Sequence, residues 1–268
     1  MRLRPRIVKT LVLLTLSFAV PLMAKPSLLI DPRVLFLMAA GITMLFSQPD
    51  FSTAESGRHK STDRLSILAI LLAGFASQAL PVIEWAYFGV GVSGGISIIA
   101  VAAGAIMVLV GLAFRIWSIR TLGRFFTSTV QIVDCHRIVK SGPYRIVRHP
   151  SYTGAYIAML GSAVLLQAPV AFLISGLFLV WAYHKRLQAE EEVLIGEFGK
   201  EYEAYRKCTP ALVPELQLLG RRPLHKIVVG ALLIAVTATA IAWTSHAADG
   251  LEQSLANFEA PHFSKAQE

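Results

Sequence analysis

The sequence predicts an all-α, polytopic bundle of about seven transmembrane helices, with a short ordered cytoplasmic loop covering a helical hairpin. Three observations predict it. Of 268 residues, 54% are hydrophobic and only 16% are charged, whereas a soluble domain carries about 25% charged residues. Mean hydropathy is +0.58. The apolar excess is gathered in runs near the length that a bilayer requires. Composition excludes a disordered or collagen-like chain. Cys135 and Cys208 lie far apart with no CxxC, and they offer neither a disulfide framework nor a metal site.

Seven apolar segments run over 7–24, 33–47, 65–83, 95–118, 151–167, 170–185 and 226–244. The fifth and sixth are separated only by Gln167-Ala168-Pro169. Proline cannot continue a helix, so this stretch reads as two helices joined by a tight turn. The first segment has a second reading. Arg2, Arg4, Arg6 and Lys9 precede an apolar core ending at Leu22-Met23-Ala24, the pattern of a cleaved signal peptide. Leu22 fits a small-residue cleavage site poorly, so a retained first helix is expected.

Charge sets the expected orientation. With the N-terminus cytoplasmic, the cytoplasmic segments hold 22 of the 25 Lys and Arg, and only Lys25, Arg33 and Lys265 fall outside. This is the positive-inside bias. The net charge of +8 is therefore topology, with attraction to anionic lipid, and no nucleic-acid partner is expected. No span carries a charge near its centre, which argues against an ion or solute pathway.

Polarity concentrates in two cytoplasmic stretches, 119–150 and 184–223, which abut opposite ends of the 151–185 hairpin. Between 127 and 147 the pattern is not helical. Thr129-Val130-Gln131-Ile132-Val133 is β-branched, His136 to Lys140 alternates, and Ser141-Gly142-Pro143-Tyr144 makes a turn. The stretch reads as an ordered loop, or a hairpin, lying over the helix ends. Pro150 and Ser151 then start a helix, with Arg148 and His149 at its mouth and Tyr152 in its first turn. Beyond the hairpin, Arg186 and Glu190 share a face at i, i+4. Glu190-Glu191-Glu192 crowd like charge at a membrane boundary, and at least one needs a positive partner. Taken singly, arginines at helix ends snorkel and glutamates after a span are solvated. Together, a histidine, tyrosines, arginines and paired glutamates converge on one end of one hairpin.

His136-x-x-Val139-x-x-Gly142-Pro143-Tyr144-x-x-x-Arg148-His149-Pro150-x-Tyr152-x-Gly154 resembles the signature of the isoprenylcysteine carboxyl methyltransferases. Glu190-Glu191-x-x-Leu194-x-x-x-Phe198-Gly199-x-x-Tyr202-x-x-Tyr205, followed by Pro210 and Pro214, resembles that family's C-terminal block. The resemblance covers roughly 95–215. It departs from the family at Cys208-Thr209-Pro210, where an Arg-Val-Pro is usual. The first spans and the last have no assigned counterpart.

The resemblance implies S-adenosylmethionine as cofactor, bound in a cytosol-facing pocket over the hairpin. The implied contacts are Gln131, His136, Arg137, Ile138, Val139, Tyr144, His149, Pro150, Ser151, Tyr152, Glu190 and Glu191. Arg186 matches an arginine on the family's substrate side. Arg148 joins it as a candidate for acceptor positioning, because a guanidinium fork holds an anion bidentately. A carboxylate such as Glu190 suits the donor's ammonium, and tyrosine faces suit adenine or the sulfonium. An acceptor already ionised needs no general base, so catalysis is mainly alignment.

The expected organisation is N-terminal transmembrane helices over 1–94, a methyltransferase core over 95–215, and a last helix with a polar tail over 216–268. The expected protein is an integral membrane methyltransferase with its active site facing the cytoplasm. Its partners are the lipid bilayer and a lipidic or small-molecule methyl acceptor, with the carboxylate of a prenylated cysteine implied by the resemblance. The competing readings are a phospholipid amine or small-thiol methyltransferase, an NADPH-dependent membrane reductase, and a non-catalytic membrane or transport protein.

Overall fold

The computed structural model describes residues 5–47, 62–89, 97–126 and 137–213, and these are mostly helical, with no strand among them. The helices are α1 (Pro5–Leu14), α2 (Pro32–Phe46), α3 (Thr62–Ile83), α4 (Ile98–Leu122), α5 (Pro150–Leu165), α6 (Pro169–Phe198) and α7 (Lys200–Cys208). Six of the seven expected spans coincide with α1 to α6. The seventh, 226–244, lies outside the described residues, as do 127–136. Of the expected hairpin, residues 137–140 carry no regular structure and Gly142–Arg145 forms a 3-10 turn.

Local chemistry explains the boundaries. α2, α5 and α6 each open on a proline, whose missing N–H has no intrahelical partner in a first turn. Ser97 caps α4 by accepting from Ala100 N. α1 runs on through a π-turn over Thr15–Ala19 and α3 through another over Glu84–Phe88. Pro81 sits inside α3 and donates no hydrogen bond, which leaves the Ser77 carbonyl without its helical partner. The Ser162 hydroxyl of α5 reaches that carbonyl at 3.4 Å.

The hairpin turns as expected. Gln167 adopts a left-handed conformation (φ 54°) and Ala168 N donates back to Ala163 O at 2.8 Å. α6 then runs unbroken for 30 residues, or about 45 Å at 1.5 Å per residue. Its start is capped from another helix. Glu84 of α3 accepts from Val170 N at 3.2 Å and Ala171 N at 2.6 Å, placing negative charge at a positive helix end. At the same end of the bundle, Lys25 lies 5.3 Å from the Tyr87 ring and donates to Ala86 O, and Arg33 lies 4.6 Å from the Trp85 ring. These are two of the three basic residues that the charge bias leaves outside, and aromatic faces hold both.

α4 against α5 is the most extensive helix contact, followed by α3 against α6. Gly104 and Gly111 on α4 face Gly154 and Gly161 on α5. A Cβ on Gly104 would stand 2.3 Å from Leu165 N, one on Gly111 2.5 Å from Gly154 O, and one on Gly161 2.8 Å from Val108 N. Each pair is spaced seven residues apart, two helical turns, so one edge of each helix is bare backbone. The outer faces are apolar and exposed: Ile98, Ile99 and Leu177 are 81%, 83% and 73% exposed. Three helices, over Ser66–Phe88, Ile98–Phe125 and Pro169–Phe198, are long and apolar enough to cross a bilayer. The chain is an integral membrane protein. Arg115, within the expected span 95–118, lies inside the bundle, 8% exposed.

Gly161→Ala should lower stability by about 1–3 kcal/mol, because the added methyl meets main chain that cannot yield. Gly196→Ala, where a Cβ meets nothing within 4 Å, should be neutral or slightly stabilising. Thermal unfolding of both variants in one detergent checks the contrast.

Candidate active site

α5 begins, and the last third of α6 passes, at the same level of the bundle. That juxtaposition brings together the residues that the sequence separates by about 40 positions. Glu191 is the hub. Arg148 Nε and Nη2 both donate to Glu191 Oε1, at 2.9 and 2.7 Å. Arg206 Nε of α7 stands 3.3 Å from Oε2. His149 Nε2 lies 3.1 Å from Oε1; a carboxylate only accepts, so this nitrogen carries a proton. The Arg148 and Glu191 side chains are 8% and 12% exposed. The crowded triplet of glutamates therefore finds its positive partners at Glu191.

Glu190 is set differently. Its Oε2 accepts from the Tyr152 hydroxyl at 3.0 Å, and that hydroxyl accepts a longer bond, 3.4 Å, from Arg186 Nε. Tyr152 thus bridges Arg186 and Glu190, the pair that the helix period places on one face. Arg186 is 4% exposed and donates to Ser66 Oγ on α3 at 3.3 Å. It belongs to the interior and not to a solvated surface. Tyr183 stacks edge-on against Tyr152, with ring centroids 5.1 Å apart.

A strap behind α7 closes this end. Arg148 N donates to Pro210 O at 2.8 Å, His149 N to Ala211 O at 3.0 Å, and Thr153 Oγ1 to Leu212 O at 2.7 Å. Arg148 Nη1 donates to Arg206 O at 3.0 Å and also to Thr209 O. All these acceptors are main-chain carbonyls, which any residue supplies. The Cys208-Thr209 that departs from the family pattern therefore leaves the strap's bonds intact. Tyr205 OH donates to Tyr144 O at 2.6 Å. Burial pushes the Tyr205 phenol up to about 12. Burial also raises Tyr144, assisted by the charge of Glu190, and raises Tyr202, assisted by that of Glu191. These phenols stay neutral and act as donors and ring faces.

These groups line one end of a cavity of about 800 Å³, within the range of ligand pockets. Its polar wall holds Arg137, Tyr144, His149, Tyr152, Arg186 and Glu190. Its other walls are apolar residues of α1, α2 and α3, such as Val12, Met44, Leu71 and Phe75. Two buried polar atoms on the wall have no hydrogen-bond partner, Tyr202 OH and Arg115 Nε. Buried polar atoms without a partner, on residues that line one cavity, are consistent with a polar ligand beside them.

Of the residues expected from the sequence, Arg137, Ile138, Val139, Tyr144, Arg148, His149, Ser151, Tyr152, Arg186 and Glu190 line this cavity. Pro150 and Glu191 do not. Pro150 is fully buried as the first residue of α5, and Glu191 is turned into the ion-pair hub. Gln131 and His136 lie outside the described residues. Arg148, expected to position the acceptor, lines the cavity while most of its guanidinium donors go to Glu191 and two carbonyls. The sequence reading passed over Arg115 and Tyr183, which sit in apolar helical runs. Only the interruption of a hydrophobic run by Arg115 gave a signal.

Comparison with known proteins adds a consistent picture. Residues 104–196 match the isoprenylcysteine carboxyl methyltransferase family. The chain is 34% identical over 116 residues to a probable protein-S-isoprenylcysteine O-methyltransferase of Oryza sativa subsp. indica, covering 42% of this chain and 61% of the relative. It is 38% identical over 116 residues to the protein-S-isoprenylcysteine O-methyltransferase of Rattus norvegicus, covering 42% of this chain and 40% of that one. It thus spans less than two thirds of the length of these curated relatives. The solved structure of a eukaryotic intramembrane Ras methyltransferase, an isoprenylcysteine carboxyl methyltransferase, superposes with a TM-score of 0.53 at 21% identity. That superposition covers 78% of this chain and 75% of the other. Residues 95–268 are only about two thirds of the chain, so the likeness of fold reaches into the N-terminal helices, to which the sequence resemblance assigned no counterpart. Over residues 104–196 this chain is similar in sequence to the isoprenylcysteine carboxyl methyltransferase family, and its bundle is similar in fold to that solved structure.

Proposed function

We propose that the chain is an integral membrane methyltransferase that moves a methyl group from S-adenosylmethionine to a lipid-tailed, anionic acceptor. The observation that carries this reading is the single cavity with two kinds of wall. A polar end built from both motif blocks opens into an apolar chamber lined by α1, α2 and α3. A polar donor and a greasy acceptor need such a junction.

The residues present fit the donor. When bound, S-adenosylmethionine supplies an electrophilic methyl on a sulfonium, whose transfer to a carboxylate or thiolate leaves a neutral thioether and moves no proton. Glu190 is the carboxylate on the cavity wall that holds the donor's ammonium, with Tyr152 fixing its rotamer. Glu191, Arg148 and His149 position rather than touch: they lock α6 to the start of α5. Tyr144 and Tyr202 offer ring faces, and the Tyr202 hydroxyl offers an unused bond. Arg186 orients the acceptor's anionic group.

Charge favours an anionic acceptor over an amine. The wall carries Arg115, Arg137, Arg148 and Arg186 against Glu190, with Glu191 just behind balancing Arg148. An incoming cationic amine meets like charge there, whereas a carboxylate meets a fork. A prenylated cysteine carboxylate, the acceptor named for the relatives, satisfies both the charge and the apolar chamber. The active site faces the cytoplasm on this reading, as the bias of Lys and Arg requires. The core over 95–215 holds the polar wall, and the helices within 1–94 build much of the chamber.

Calorimetric titration of the purified protein should show saturable binding of S-adenosylmethionine or its demethylated product. Flat titrations with nicotinamide cofactors binding instead would favour the reductase. Glu190→Gln should weaken donor binding by about 10- to 100-fold, the loss of a charge-assisted hydrogen bond, with little change in thermal midpoint. Glu191→Gln should instead lower stability by about 3 kcal/mol, because it strands the buried Arg148. Exposed Glu192→Gln should change neither. Arg186→Lys should reduce the methylation rate at saturating acceptor while leaving donor affinity within a few-fold, as separate binding and rate measurements would show.

A further inference from the structure

One polar side chain on the apolar chamber has no role in the scheme above. Gln78 of α3 lines the chamber together with Leu71, Gly74 and Phe75 of the same helix. It lies one residue from the middle of the apolar span Ser66–Phe88. Among the described residues none hydrogen-bonds its carboxamide. That group has two N–H donors and an oxygen with two lone pairs. At mid-bilayer depth in an apolar wall it is unfavourable unless something completes it.

Gln78 also marks the inner end of the chamber. α3 runs away from the polar wall: Ser66 meets Arg186 there, and Glu84 meets the start of α6 at the far side. Gln78 is the last residue of α3 on the chamber, and Met159 the last of α5. Gln78, Met159 and Met44 of α2 also line a small cavity of about 20 Å³ behind them, so these three side chains close the chamber's end. The two methionines are apolar and adaptable. Gln78 is the polar member of the three.

The depth can be put in chemical terms. Twelve residues separate Ser66, which holds Arg186, from Gln78. That is about 18 Å of helix, and an extended chain advances about 3.5 Å per three bonds, so about fifteen bonds lead from the level of Arg186 to Gln78. Under the methyl-transfer reading, on which the placing of the anionic head at Arg186 rests, a tail of that length ends against the carboxamide. A tail that is hydrocarbon to its end leaves Gln78 unpaired; a tail with an oxygen at its end pairs it.

We propose that Gln78 determines specificity for the acceptor's tail. It hydrogen-bonds a hydroxyl or carbonyl at the tail's far end, so the chamber selects amphiphiles with an anionic head and a second polar group about fifteen bonds away.

The test uses the full chain in detergent and three acids of one chain length: hexadecanoic acid, its ω-hydroxy derivative, and the α-hydroxy isomer, whose hydroxyl sits beside the head. Calorimetric affinities are measured in the wild type, Gln78→Met and Gln78→Leu. Preferences are compared between proteins, so partition into detergent cancels. Relative to Gln78→Met, the wild type should favour the ω-hydroxy acid over the parent by about three- to tenfold, the worth of one hydrogen bond. The α-hydroxy isomer should show no such gain, and Gln78→Leu should behave as Gln78→Met. The thermal midpoint of the unliganded protein should hold or rise in both variants, because an unpaired carboxamide gives way to an apolar side chain. Equal preference in all three proteins, an equal gain with the α-hydroxy isomer, or a lowered midpoint with unchanged preference overturns the proposal. S-adenosylhomocysteine is titrated alongside. If it binds while none of the acids does, the tail site falls and the donor half of the methyl-transfer reading stands. If a preference that depends on Gln78 appears although S-adenosylhomocysteine does not bind, the tail site stands and the methyl-transfer reading falls. If nothing binds, both fall.

Discussion

The close approach of α4 and α5 is the constraint on which the rest depends. Four glycines let two backbones meet where any side chain would collide with main-chain atoms. In a bilayer there is no hydrophobic gain in bringing two helices together, because lipid is as apolar as leucine, so such contact relies on dispersion between closely fitted surfaces. The consequence is positional. With α4 lying this near, Arg115 reaches the Ser151 carbonyl at the head of α5. The start of α5, with His149, Tyr152 and the strap that satisfies its backbone, is held from behind.

A second constraint follows from burial of charge. The polar end of the bundle contains three buried or half-buried arginines (Arg115, Arg148 and Arg186), a histidine and two glutamates at or near the cavity wall. Each must be compensated or it destabilises the fold. The two adjacent glutamates divide the work. Glu191 takes Arg148, His149 and Arg206 and becomes structural, welding α5, α6 and α7. Glu190 keeps one neighbouring hydroxyl and remains the negative group on the wall. Adjacent residues on a helix are 100° apart, so two identical side chains can serve opposite purposes without moving.

The apolar chamber and the polar wall are made by different parts of the chain, the N-terminal helices and the hairpin with its flanks. Short connections in sequence do not build this cavity; the packing of α3 against α6 does. Arg186 reaching Ser66 on α3 is the polar stitch across that packing. It sets an arginine at the border between the polar wall and the apolar chamber.

Much of this was legible in the sequence. The helical spans, the turn at Gln167 to Pro169 and the shared face of Arg186 and Glu190 follow from hydrophobic run length, from proline and from the 3.6-residue period. These are local rules, and α1 to α6 fall where the runs predict. The convergence of two motif blocks also followed, because a hairpin must return its ends to one level. What tertiary structure decided is how each polar group is used. No local rule separates Glu190 from Glu191, assigns Arg148 to Glu191 and the carbonyls of 206 and 209, or places Arg115 inside rather than at a boundary. Those outcomes depend on which carbonyls and carboxylates other helices bring within 3 Å. That is a property of packing, and a run of residue types does not contain it.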